Sequence, residues 1–566
     1  MKKQTIKGFA FIALAGSMVA SCNLLKDVQY TVTPNPLEMH GDSVRVKVDL
    51  KIPEKGIRKK VSAEITPMLG NTALKSVTIQ GEKATGNGNV IQFKSGGNIT
   101  YTDIVPYKSE YENTDLKVSG NVLKGGKVKK QLPEVKIADA TIITPFLLKK
   151  DFKVISEKDN FTRVSEETLS PGQFNFERAK SEVKTVEFKD KDIVDFQKWL
   201  ADAQANPKIT IKTVSITGYA SPEGETGKNN SLSTDRANAA KAAIVSIAKN
   251  AKNEKAQTEL YTLSGRGEDY DGFKKELEKS AMNNDEKQLV IRVLEMHKDP
   301  ETRETEMRNM GKTFKYLDDN IFPKLRRAEI TVTYDLVGYT DEELKTISTN
   351  KPETLKLEEL LFSATLTNDL NTKLSIYQAA ETKFPEDVRA INNAGVIYFT
   401  QNKLQEAKDK FEKANTVKEN NISKNNLAAV AGVNGDFVKA KQLLEQAKGA
   451  GQEVNYNNGI INIKEGKYND AISNLGSEAS FNKALALILS GQFDAATPAV
   501  DGSVDKDSAL GYYLKAIVGA RTGKADVAVS NLKNAIAKDE TLKAKAAKDR
   551  EFIKLFGDAN FSSVVK

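Results

Sequence analysis

The sequence predicts a multidomain chain made of an N-terminal β-sandwich, a central α+β sandwich and a C-terminal α-solenoid. Three observations carry that prediction. Apolar and polar residues alternate in short runs up to about residue 144, and helical stripes interleave with strand-like runs between Phe174 and Tyr334. From about Pro352 onward, a small turn residue followed by an alanine-bearing helix recurs at a nearly fixed spacing. At 566 residues the chain is also too long for one hydrophobic core.

The N-terminus comes first. Lys2, Lys3 and Lys7 precede an apolar run from Gly8 to Ala20, followed by Ser21 and Cys22, the single cysteine. The run is too short to span a bilayer in a mature protein, and residues 1–21 read as an export signal. Val19-Ala20-Ser21-Cys22 resembles the lipobox of bacterial lipoproteins. The resemblance implies that Cys22 is lipidated and that residues 22–27 form a lipid-bearing tether. Several acyl chains hold a protein to a membrane durably, since each buried CH₂ adds about 0.8 kcal/mol. Asn23 implies, by the same resemblance, the outer membrane rather than the inner, with the periplasmic face expected and surface exposure left open. The net charge of +8 falls to about +5 once the signal is gone, too weak a bias for a nucleic-acid partner.

Residues 28–145 carry the strand pattern. Runs such as "SVRVKVDLKI", "VSAEITPML" and "DLKVSGNVL" alternate and are separated by Gly, Asn, Pro or Asp, as in antiparallel strands of an immunoglobulin-like sandwich. "GNGN" from Gly86 reads as a hairpin turn, and Lys124 to Lys130 as a solvated turn or protection of an edge strand. Residues 146–172 read as a linker.

Residues 173–338 change period. "FNFE" is a short strand, Ile193, Phe196, Leu200 and Ala203 mark one helix, "TVSITGY" is a strand, and a second helix from Ser233 carries Ala240, Ala243, Ile244 and Ile247 on one face. A third strand ends in "SGRGEDYDG", and "RRAEITVTYDL" closes a βαβαββ-like order with both helices on one sheet face. Residues 273–322 interrupt it with a charged helical insertion, on which Asp318 and Asp319 read as a solvated face.

Residues 339–566 repeat. Ala407, Ala440, Ala471, Ala496 and Ala528 follow one another at intervals of 33, 31, 25 and 32 residues. Gly395, Tyr398, Ala407, Phe411 and Ala414 alternate small and large as two interlocking antiparallel helices require, and Tyr377, Ala380 and Pro385 imply an earlier unit. The pattern resembles tetratricopeptide repeats. Stacked repeats leave a concave surface, and a protein segment is its expected occupant.

Gly218-Tyr219-Ala220-Ser221, Gly224, Asn229, Leu232-Ser233, Arg236-Ala237 and Arg326-Arg327-Ala328-Glu329-Ile330 resemble the peptidoglycan-associating domain of the OmpA, Pal and MotB group, in a form similar to that of the Bacteroidetes. The resemblance implies recognition of a diaminopimelate side chain. A loop aspartate accepts from its ammonium, and an arginine, here Arg236, grips its carboxylate in a bidentate fork. Arg236 is expected in the first turn of its helix, and Asn229 as a neutral donor and acceptor. The family's aspartate is replaced by Ser221, which brings no charge; Glu223 is the candidate substitute carboxylate. Ser221, Glu223, Asn229 and Arg236 are therefore the candidate wall-binding set, with an ordinary turn and a salt bridge from Arg236 to Asp235 or Glu223 as the plain structural reading.

Nothing in the sequence suggests catalysis, a metal or a cofactor. His40 and His297 fall in different predicted domains, and no nucleophile triad, metal-ligand spacing or phosphate loop occurs. The expected function is a non-enzymatic outer-membrane lipoprotein that tethers the envelope to peptidoglycan and holds a protein partner on its repeats. The alternative is a component of a secretion or adhesin assembly whose OmpA-like fold binds protein.

Overall fold

The computed structural model describes residues 24–566, so Cys22 and the predicted export signal lie outside the described residues. The chain divides into two compact units, one holding the residues up to Lys158 together with Asp369–Lys566, the other Asp159–Asn368.

The first unit begins as a β-sandwich. One sheet sets β1 (Gln29–Val32), β2 (Met39–His40) and β8 (Gly97–Pro106) against β3 (Ser43–Ile52). The other runs β10 (Lys127–Ala140), β9 (Thr114–Lys124), β4 (Val61–Leu69), β6 (Val77–Gly81), β7 (Asn89–Ile91), with β5 (Thr72–Ala73) on β4. Alternation sorts the side chains: Val44, Val46, Val48, Leu50 and Ile52 of β3 share one core with Val61, Ala63, Ile65 and Leu69 of β4. Each large aliphatic side chain buried in this way contributes about 1.5–3 kcal/mol.

The second unit has the βαβαββ order. Its elements are β11 (Val164–Asn175), α1 (Lys191–Ala205), β12 (Ile209–Ala220), α2 (Thr226–Asn250), β13 (Tyr261–Glu268) and β14 (Arg327–Val337). The strands lie in the order β11, β14, β12, β13, with β12 and β13 parallel and the other pairs antiparallel. Phe196 and Leu200 of α1 and Ala240, Ile244 and Ile247 of α2 form one core with Ile216, Ile330 and Val332 of the sheet. Between β13 and β14, helices α3 (Tyr270–Lys279), α4 (Asn284–Met296), α5 (Pro300–Asn309), α6 (Lys312–Asn320) and α7 (Phe322–Leu325) close around Phe273, Leu277, Val290, Leu294 and Phe322.

Several limits differ from the predicted ones. Most of β11 falls inside the predicted linker, because "VSEETLSPG" is too polar to show an apolar period; its strand form rests on backbone pairing from Val164↔Val337 to Asn175↔Arg327. The insertion spans 270–325. Helices α8 (Asp341–Asn350) and α9 (Leu357–Ser363) belong to this unit rather than to the repeats. Helix α2 starts at Thr226, seven residues before Ser233. Its polar first turns are poor helix formers, but Asn229 and Ser233 are buried and hydrogen-bonded there, and tertiary contacts override propensity.

The first unit resumes with α10 (Leu370–Lys383) and the hairpins α11 (Val388–Thr400) with α12 (Leu404–Val417), α13 (Asn421–Val433) with α14 (Phe437–Gln446), α15 (Gln452–Lys464) with α16 (Tyr468–Asn474), α17 (Phe481–Leu489) with α18 (Phe493–Asp501), and α19 (Ala509–Arg521) with α20 (Ala525–Lys538). The predicted small-to-large interlock is present. A Cβ on Gly395 would stand 2.6 Å from the Phe411 ring, one on Gly459 2.6 Å from Leu475 Cγ, and one on Gly519 2.6 Å from Ala528 N. The chain thus contains a tetratricopeptide-like solenoid. Within this unit the solenoid receives the acidic end of the sandwich: Arg521 Nη1 lies 2.5 Å from Glu38, Lys464 Nζ 2.5 Å from Asp42, and Arg550 Nη1 3.9 Å from Asp139.

Candidate functional site

The face of the repeats formed by the first helices of successive hairpins is built on asparagines. Asn392, Asn393, Asn425, Asn426, Asn457 and Asn482 sit on the first helices of successive hairpins, all 2% exposed or less. Buried carboxamides need partners for both their donor and acceptor atoms. Here the partners come from residues 149–157, which leave the sandwich and run along the groove against the order of the repeats. Asn482 accepts from Lys149 N at 3.0 Å and donates to Lys149 O at 2.8 Å. Asn457 does the same for Lys153 at 2.7 and 2.8 Å, Asn426 for Ile155 at 2.7 and 2.8 Å, and Asn393 for Glu157 at 2.8 and 2.8 Å. Asn425 and Asn392 add donors to Lys153 O and Ile155 O, both at 3.1 Å.

Side chains complete the grip. Phe152 is buried against α13, where a Cβ on Gly432 would stand 2.3 Å from the ring. Asp151 accepts from Asn482 at 2.7 Å and from the Tyr456 hydroxyl at 2.7 Å. Burial holds the Asp151 carboxyl above its ordinary range. Lys149 pairs with Asp505 and lies 4.5 Å from the centre of the Phe481 ring. The groove therefore reads backbone through its carboxamides, and its occupant is the chain's own strap.

The loop of the second unit gathers all four candidate residues, each buried. Arg236 does not stand in a first helical turn, since α2 begins at Thr226. Nor does it form the salt bridge to Asp235 or Glu223 that the sequence suggested. Its Nε donates to Lys180 O at 3.1 Å, Nη1 to Tyr219 O at 2.8 Å and Nη2 to Glu177 O at 3.2 Å. At 1% exposure it lies beneath the segment Glu177–Lys180, and burial, reinforced by the nearby Arg326, pushes its pKa down to about 10. Asn229 turns inward, donating to Ser221 O, Glu223 O and Glu268 Oε1 at 3.3, 3.2 and 2.9 Å.

Glu223 meets Arg326. The Arg326 Nη2 lies 2.5 Å from Glu223 Oε1, Nε donates to the same oxygen at 3.0 Å, and Nε also reaches Ser221 Oγ at 3.2 Å. Burial raises the Glu223 carboxyl despite the guanidinium beside it. Asp318, read as solvated, is instead part of this network, 3.4 Å from Arg326 Nη2 and 3.3 Å from Arg178 Nη1. Arg326 and Asp318 lie about a hundred residues from the loop in sequence, and only the tail motif Arg326-Arg327 hinted at them.

The insertion also walls the sheet face opposite α1 and α2. An open polar cavity of about 1160 Å³ results, lined by Tyr219, Arg266, Glu268, Lys275, Arg327 and Glu329 among others. The Arg327 guanidinium stacks 4.4 Å from the Tyr219 ring centre and lies 2.7 Å from Asp269. Among the described residues no three His, Cys, Asp or Glu side chains gather as a metal site, and no helix is long and apolar enough to cross a membrane.

No family model matches the chain, and no curated protein matches it. Solved structures do. The Cut9–Hcn1 hetero-tetramer of the APC/C matches at 14% identity and a TM-score of 0.31, over 40% of this chain and 45% of that one, so the chain spans under half of that protein. A tetratricopeptide repeat protein from Parabacteroides merdae matches at 14% identity and a TM-score of 0.28, over 48% of this chain and 99% of that one. YrrB, a TPR protein with an unusual peptide-binding site, matches at 23% identity and a TM-score of 0.22, over 36% and 99%. Likeness at this level is too low to speak of function.

Proposed function

We propose that the chain is a non-enzymatic, lipid-anchored scaffold of the outer membrane, whose OmpA-like unit binds protein rather than cell wall. The closed loop carries this reading. A zwitterionic wall side chain would bring an ammonium and a carboxylate, and the chain supplies its own substitute for each. Arg326 fills the cation's place on Glu223 Oε1 and Ser221 Oγ, with Glu223 Oε2 buried and unpartnered, and the carbonyls of Glu177, Lys180 and Tyr219 take the donors of Arg236. A ligand that must first displace satisfied, buried hydrogen bonds gains little from replacing them. The polar cavity beside Tyr219 is then the recognition surface of this unit. On the repeats the strap takes the inner groove, so a protein partner is held by the outer helices α12, α14, α16 and α18. Cys22 supplies the anchor, and Cys22→Ala moves the protein from the membrane fraction to the soluble one.

Sedimentation with isolated sacculi tests the reading. Mature wild-type protein stays in the supernatant, and Ser221→Asp alone does not bring it down. Pelleting of the wild type with sacculi would overturn it.

One observation favours the second reading, wall tethering. Ser221, Glu223, Asn229 and Arg236 converge as the family resemblance implies, and the largely exposed segment Glu177–Lys180 covers Arg236. In that reading the segment withdraws and frees the fork, and sedimentation appears once residues 178–183 are shortened.

A further inference from the structure

We propose that the free end of the β-sandwich is a membrane-facing surface that takes anionic lipid headgroups. The strand register fixes which loops share this end: Gln29 pairs with Lys51, Ile52 with Gly97, Val61 with Lys124 and Ser62 with Gln80. The β3–β4 loop, the β6–β7 loop, the β9–β10 turn and the entry of the chain at Leu24 therefore meet. Backbone bonds tie them together, from Lys26 N to Gly56 O at 2.8 Å, Lys55 N to Phe93 O at 2.7 Å and Lys83 N to Lys59 O at 2.7 Å.

This end is strongly basic. Lys55, Arg58, Lys60, Lys83, Lys124 and Lys127 all stand exposed on it. The acids on the same loops are Asp27, Glu54 and Glu82, and two are engaged, Glu54 with Lys55 at 3.6 Å and Glu82 with Lys59 at 2.8 Å. Gly125 and Gly126, both at positive φ with open space around them, turn the β9–β10 hairpin, and Val128 beside the turn is 55% exposed. Edge protection accounts for lysines on β10, an edge strand. It does not account for Arg58 and Lys60, which lead into β4, a strand paired on both sides. The opposite end carries Glu38, Asp42 and Asp139, and these face Arg521, Lys464 and Arg550 of the solenoid. The sandwich is thus polarised, its acidic end spent on the repeats and its basic end free.

Two facts single out a bilayer as the occupant. Clustered lysines and arginines are attracted to anionic lipid within about one Debye length. And Leu24, the second residue after Cys22, enters the sandwich at this very end, with Leu25 bridged to Ile57. The inference rests in part on the anchoring proposed above, and its test omits Cys22 so that the two fail separately.

The chain from Leu24 onward, which keeps both compact units whole, is sedimented with vesicles of phosphatidylglycerol and phosphatidylethanolamine and, separately, of phosphatidylcholine. It binds the anionic vesicles alone, and about tenfold or more of the affinity is lost between 50 and 500 mM salt. Reversal of Arg58, Lys60, Lys124 and Lys127 to Glu causes a comparable loss with an unchanged circular dichroism spectrum. Reversal of the exposed Lys524, Lys533, Lys538 and Lys548 in the solenoid leaves binding intact. Equal binding to phosphatidylcholine, no loss on reversing the sandwich end, or equal loss from the control set overturns the proposal. So does retention on an anionic polysaccharide without vesicle binding, which assigns the end to a glycan. Membrane release of Cys22→Ala is read separately and reports only the anchor.

Discussion

The carboxamide of Asn426 closes both backbone hydrogen bonds of Ile155, a residue 271 positions earlier, accepting from its N–H at 2.7 Å and donating to its C=O at 2.8 Å. A neighbouring β-strand would do the same, and here a helix side chain does it. Asn393, Asn457 and Asn482 repeat the arrangement, so the strap is held as though in a sheet whose other strand is a column of asparagines.

Such a ladder protects alternate amides. In hydrogen exchange, the N–H groups of Lys153, Ile155 and Glu157 exchange slowly, while those of Val154 and Ser156 exchange at least about tenfold faster. Asn426→Ala selectively releases the Ile155 N–H, and it costs about 1–3 kcal/mol, because that N–H loses its acceptor while the C=O keeps only Asn392. Uniform exchange along residues 152–157 would refute the ladder.

Gly432→Ala tests the seat of Phe152. The added methyl would stand 2.3 Å from the Phe152 ring, with Phe437 6.3 Å away across it, so the ring cannot simply slide aside. Overpacking of this kind costs about 1–3 kcal/mol. Phe152→Leu in the same chain recovers part of it, giving a coupling between the two sites that urea unfolding followed by far-ultraviolet circular dichroism measures. Additive losses would mean the ring is not seated there.

The repeats are legible in the sequence, and the asparagine ladder runs in step with them. Asn393, Asn426, Asn457 and Asn482 are spaced by 33, 31 and 25 residues, in step with Ala407, Ala440, Ala471 and Ala496, each fourteen residues upstream of its alanine. Asparagine is a poor helix former, so its recurrence on apolar helix faces was itself a signal. Fourteen residues before Ala528 stands Leu514, and the ladder ends there. The strap's own sequence pattern is that of a linker, because its partners lie hundreds of residues away. The closed loop was not legible for a similar reason. The acceptors of Arg236 are backbone carbonyls, which leave no mark on side-chain identity, and they come from 17, 56 and 59 residues upstream.

Glu223→Gln leaves the buried Arg326 with only Asp318 at 3.4 Å as a carboxylate partner. Breaking a buried pair on one side costs about 3 kcal/mol, whereas replacing both members by apolar groups is far cheaper. Glu223→Met with Arg326→Met is therefore more stable than Glu223→Gln alone. Trp199, the single tryptophan, packs 5.1 Å from Tyr334 in the second unit, so its fluorescence follows unfolding of that unit specifically. A double variant no better than the single one would remove the ion pair from the account.

His40 makes the junction between sandwich and solenoid sensitive to acid. Its ring stands 5.5 Å from Tyr468, with Arg45, Glu38 and the Asp42–Lys464 pair around it. Burial and then Arg45 lower its pKa from the ordinary 6.5, against a smaller opposing effect of Glu38. The unfolded chain therefore takes up a proton that the folded one refuses. This contribution to stability is fully present above about pH 6.5 and is lost as pH falls through the lowered folded value. Melting of the helical signal shifts to lower temperature between pH 7.5 and 5.5, and His40→Gln reduces that shift while carboxylate titration at lower pH persists. Identical slopes for the two proteins would place His40 outside the junction's pH response.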